Sequence, residues 1–141
     1  AREESDSGPF RLIGNQFAQA RVGSNPTSSA NMNKSTKLFL IFLVFSLITV
    51  IVTMMTWQNP AILIPILVLI AYIKQSYEPI NRPILTFICF GIAGTTMEAL
   101  IMISGSWSYA TPHLLNFPVW LPFLWGVAGT LSVTLYKAIK S

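Results

Sequence analysis

From Leu38 to Ile73 the chain carries no charged residue, an unbroken run of 36 positions. A membrane-crossing helix needs about 20 residues at about 1.5 Å rise each, so the run holds two helices and a turn. Trp57-Gln58-Asn59-Pro60 supplies the turn. Gln and Asn solvate it, and Pro60 suits a first helical position, where its missing N–H has no partner to lose. The pattern predicts a first span over about 38–57 and a second over about 60–77. Lys74 to Pro83 then brings two prolines, an asparagine and three charges into ten residues and reads as a loop. A third span follows over about 84–104. A loop without Lys or Arg covers 105–116, and a fourth span runs over about 117–136, opening with Pro118 and Pro122. The expected fold is an all-α membrane protein, a bundle of four transmembrane helices.

Composition agrees. Hydrophobic residues make up 52% of the 141 and charged ones 10%, against about 25% charged in soluble domains. One cysteine excludes an internal disulfide and a thiolate metal site. Charge then orients the bundle. Residues 32–141 hold Lys34, Lys37, Lys74, Arg82, Lys137 and Lys140. With the N-terminus inside, all six fall on the cytoplasmic side and none outside, which the positive-inside rule favours. Both termini are therefore expected in the cytoplasm, with the protein a multi-pass component of the inner membrane. The cations stand singly and in pairs at the ends of apolar runs, not on one clustered face, so a nucleic-acid partner is not expected.

Residues 1–31 differ from the rest. They are rich in Gly, Ser and Asn, with balanced charge and no 7–15-residue apolar stretch of the kind a signal peptide carries. Two origins fit: a disordered extension, or a non-native one translated from an upstream frame, with synthesis starting at Met32. Gly23-Ser24-Asn25-Pro26 is what one frame of a transfer-RNA T-arm encodes.

Candidate chemistry centres on Glu98, the one acid inside a span. A carboxylate at mid-bilayer costs about 2.5–3.5 kcal/mol on insertion scales, and such residues mark functional sites by default. Gly91, Gly94, Thr95, Glu98 and Met102 recur at helical spacing and share one face. Close approach of helices in lipid depends on small residues, so Gly91 and Gly94 of span three are expected to meet Gly126 and Gly129 of span four, with Glu98 turned into that interface. Spans one and two hold no glycine and look lipid-facing or peripheral. No Lys or Arg lies at the depth of Glu98. Its candidate partners are Thr95, Tyr109, His113, Asn116 and the indole N–H groups of Trp107, Trp120 and Trp125. Trp107, Tyr109, Trp120 and Trp125 read either as an interfacial aromatic belt or, with His113 and Asn116, as the lining of an outward-facing apolar pocket. Cys89 reads as a packing residue. His113 and Glu98 alone make no metal site, and no cofactor motif is present.

Two stretches, Thr96-Met97-Glu98 through Gly105-Ser106-Trp107-Ser108-Tyr109 and Pro118-Val119-Trp120-Leu121-Pro122-Phe123-Leu124-Trp125-Gly126, resemble those of small uncharacterised prokaryotic inner-membrane proteins. More distantly they are similar to membrane carotenoid-biosynthesis proteins of the hydratase type. The likeness covers about a third of the chain. The ring-lined pocket itself would suit a lipid, an isoprenoid or another amphipathic ligand, and for an enzyme Glu98 is the candidate catalytic acid, with Tyr109 or His113 as the second polar group. By size the chain also resembles small multidrug-resistance transporters, whose glutamate lies in the first span, where this chain has no acid. The leading expectation is a non-enzymatic protein that binds an apolar ligand, or a partner membrane protein or second copy, in a pocket around Glu98. The alternatives are a lipid- or isoprenoid-modifying enzyme using Glu98 as acid, and a proton-coupled small transporter.

Overall fold

The computed structural model describes residues 32–141. The chain before them, for which a tail or an upstream frame was expected, lies outside the described residues. Four helices follow one another: α1 (Lys34–Thr56), α2 (Pro60–Tyr77), α3 (Pro83–Ile103) and α4 (Leu121–Lys140). α1 starts a turn earlier than the apolar run because Asn33 caps it, its side chain accepting from the Ser35 N–H. α2 and α3 each open on a proline at the first position. The Gln75 amide holds the α2–α3 connection by exchanging two hydrogen bonds with the Ile80 backbone. Gly105, at φ 79°, ends α3 with its N–H on the Met102 carbonyl at 3.0 Å. That left-handed position suits glycine.

The largest departure from expectation precedes α4. Phe117 and Pro118 do not begin the helix. The Phe117 N–H and C=O pair with Leu114 across a tight hairpin turn, whose two central residues, Leu115 and Asn116, sit at φ 45° and 65°. Left-handed geometry at both centres is the mark of a type I′ turn. The helix therefore starts four residues later, at Leu121, and reaches Lys140.

α1, α2 and α3 are each long and apolar enough to cross a membrane. α4 has the length but is more polar, and its packing explains why. It is the hub: α1, α2 and α3 all lie against it, α1 also packs on α2, and α2 and α3 barely touch. Leu121, Gly126, Val127, Gly129, Thr130, Leu131, Thr134 and Ala138 of α4 are buried, whereas α3 buries only Gly91 and Thr95. Small and hydroxyl-bearing residues serve a helix enclosed by others; large apolar ones serve the flanks. α1 illustrates the flank, exposing Leu43, Leu47, Ile51, Met54 and Met55 while Phe45 joins the core of Leu63, Leu67, Ile70, Val127 and Leu131.

Candidate functional site

The α3–α4 contact sets the site. A Cβ on Gly91 would lie 2.7 Å from the Pro122 carbonyl oxygen, and one on Gly126 would lie 2.7 Å from the Phe87 ring. Gly129 receives Phe90 in the same way. Gly94 is covered by the indole of Trp125, so that a Cβ there would fall 2.6 Å from the ring carbon Cε3. Lying along the bare backbone of Gly94, the indole reaches the next turn of α3 and donates its Nε1–H to Glu98 Oε2 at 2.7 Å. The other carboxylate oxygen accepts the Tyr109 hydroxyl. Both oxygens of Glu98 are thus engaged by donors, one from α4 and one from the loop over 104–120. Burial, and after it the adjacent carboxylate, pushes the Tyr109 hydroxyl well above the ordinary tyrosine range.

The Tyr109 ring continues the chain of contacts. It meets Trp120 edge-on, with centroids 5.9 Å apart and planes at 85°. Trp120 in turn donates its indole N–H to the Trp57 carbonyl at the end of α1, at 3.1 Å. This satisfies a carbonyl that the helix end leaves free. Beside the Tyr109–Trp120 wall opens a cavity of about 400 Å³, lined also by Val50, Thr53, Met54, Trp57, Ser108, Ala110 and Leu124. It lies between the last turns of α1 and the loop. Its walls are mostly apolar, with the Thr53 and Ser108 hydroxyls as polar points. No family model, curated protein or solved structure matches the chain.

Of the residues expected around the pocket, Tyr109 and Trp120 line this cavity. Glu98 does not: it stands behind Tyr109 and holds it. Trp125 is 37% exposed and belongs to the Glu98 clasp. Trp107, His113 and Asn116 are exposed on the loop, and Asn116 serves the hairpin turn. Among the candidate partners of Glu98, Tyr109 and Trp125 bind it. Thr95 is buried one turn away with no hydrogen-bond partner for its hydroxyl among the described residues.

One residue escaped the sequence reading. Lys74, where the expected second span and the polar stretch after it overlap, occupies the last turn of α2 and is 1% exposed. Its ammonium donates to the Thr130 carbonyl of α4 at 3.2 Å. Leu63, Leu67, Ile70 and Lys74 form the buried face of α2, at the same helical offsets that join Gly91 to Met102 on α3. That spacing was the available signal.

Proposed function

We propose that the protein crosses the membrane four times and binds a single apolar chain, of isoprenoid or lipid type, in the lateral cavity beside Tyr109 and Trp120. α4 supplies the fourth crossing. Both chain termini lie on the cytoplasmic side, with the bundle in the inner membrane of a prokaryotic cell. Cation placement supports that orientation. The Ser35 hydroxyl bonds the Ala138 carbonyl at 2.6 Å, and Lys137 bonds Glu78 at 2.8 Å. These contacts gather the start of α1 and the ends of α2 and α4 at one end of the bundle, where the lysines stand. The cavity then opens toward the outer leaflet.

The observation that carries the reading is the double engagement of Glu98. An indole N–H only donates, so Oε2 is committed as an acceptor, and Oε1 is taken by the phenol. Glu98 therefore works as the fixed post to which the ring wall is tied, and it does not face the ligand. This favours binding over acid catalysis or proton coupling, because Glu98 has no contact with the cavity through which to exchange a proton with a ligand.

Copurification tests it. The protein is extracted from native membranes in a mild detergent, and its bound lipids are identified by mass spectrometry. One apolar species should be enriched at a defined ratio to protein. Ala110→Trp, which fills the cavity, should abolish it. Glu98→Gln keeps an acceptor for the indole and a donor for the phenol, and should retain it. Absence of any enriched lipid, or loss with Glu98→Gln while Ala110→Trp retains it, refutes the reading.

A further inference from the structure

At the opposite end of the bundle a second cleft, of about 320 Å³, opens between the first turn of α1 and the last turn of α4. Lys34, Lys137 and Lys140 line it, with Glu78 as the one acidic side chain, and Leu38 and Tyr136 form its apolar base. Lys137 is already occupied: its ammonium bonds Glu78 and the Pro79 carbonyl at 2.8 and 2.9 Å. That pair cancels within the cleft. Lys34 and Lys140 have no acidic partner among the described residues, and Lys140 lies 5.8 Å from the centre of the Tyr136 ring. Two ammonium groups from different helices, neither of them in a salt bridge among the described residues, thus face one opening beside Ser141. Just below stands apolar surface: Leu38 is buried at the base, and Phe39, Leu40 and Leu43 continue as the exposed flank of α1.

From this juxtaposition we propose that the cleft binds the phosphate headgroup of an anionic phospholipid, with the acyl chains running along α1. Cationic recesses between membrane helices suit such headgroups. A soluble anion would use the lysines but gain nothing from the apolar flank. The shared chemistry is phosphate, and the apolar flank commits the site to the lipid. The inference rests on the helices crossing a membrane and is independent of the cavity at the other end.

Native mass spectrometry of the full chain released from detergent tests it, using dioleoyl-phosphatidylglycerol, dioleoyl-phosphatidylcholine and inorganic phosphate as probes. Each lysine near an anionic headgroup contributes about a fivefold gain in affinity. Lys34→Gln with Lys140→Gln should therefore weaken phosphatidylglycerol binding about 25-fold. Lys37→Gln with Arg82→Gln removes the same charge from outside the cleft and should weaken it less than about threefold. The wild type should prefer phosphatidylglycerol to phosphatidylcholine by the same 25-fold margin. All four positions are exposed, so both pairs should fold, and far-UV circular dichroism verifies it. Equal losses in the two pairs would reduce the effect to diffuse attraction and overturn the site. So would equal binding of the two lipids, or displacement of the lipid by inorganic phosphate at similar concentration.

Discussion

Gly94→Ala is the smallest change that should undo the clasp on Glu98. The new Cβ would lie 2.6 Å from Trp125 Cε3 and closer still to Cγ and Cδ2. Carbon atoms rest at about 3.5–4.0 Å, so the indole must retreat by about 1 Å. The atoms struck lie at the root of the ring, which leaves little freedom to swing only the far end. The indole N–H starts 2.7 Å from Glu98, and such a retreat carries it out of hydrogen-bond range. In water a bond to a charged group is worth about 1.5–3 kcal/mol, but bonds between membrane helices average about 0.6 and reach about 1.7 kcal/mol. Adding the lost contact of ring on backbone, the expected cost is about 2 kcal/mol. In a Trp125→Ala background the obstruction is gone, and alanine's better helix propensity should make the same change stabilising by up to about 1 kcal/mol. Unfolding in mixed micelles of rising sodium dodecyl sulfate content, followed by far-UV circular dichroism, measures both. A change of sign between the two backgrounds is the expected result. An equal cost in both would show that Gly94 is needed for some reason other than admitting Trp125.

Two further outcomes follow from the same contacts. The Tyr109 hydroxyl titrates higher in the folded protein than the about 10 of a free tyrosine. Its contribution to stability is therefore whole below about pH 10 and lost as pH rises above that value. Unfolding midpoints of the wild type and Tyr109→Phe, compared from pH 8 to 11, should converge above pH 10; a constant gap would contradict the shift. Lys74 is 1% exposed and its ammonium makes one hydrogen bond within the described residues, so Lys74→Met should be neutral or stabilising by about 1 kcal/mol. Lys74→Ala should destabilise by about 2 kcal/mol through the void. If Met is as harmful as Ala in the same micelle titration, the ammonium is a needed anchor for Thr130.

The helices were legible where polar punctuation is strong. Pro60 and Pro83 stand at helix starts, and Trp57 to Asn59 form the turn between α1 and α2. The face of Gly91, Gly94 and Glu98 could be drawn because small and acidic residues stand out against an apolar helix. Lys74 could not be placed by the same means. α2 is apolar nearly all round, and such a helix does not declare which side is buried; a lysine near its end then resembles a loop residue. The start of α4 was hidden for another reason. Pro118 resembles a helix start, and the turn that displaces it depends on Leu115 in a left-handed conformation, which sequence does not announce in a residue without glycine's freedom. The partners of Glu98 were among those named, but the role of Tyr109 as wall and tether at once emerges only from the ring geometry.

The position of α4 as the shared neighbour has a temporal consequence. Helices emerge from the ribosome in chain order, and the one that every other helix packs against is made last of the four. Until then α1 and α2 can rest on each other, but α3 has almost nothing to dock on, since it barely meets α2. On the proposed topology, the nascent chain holds α3 with its acid in the bilayer until residues 121–140 arrive. An insertion factor that shields α3 would act in that interval.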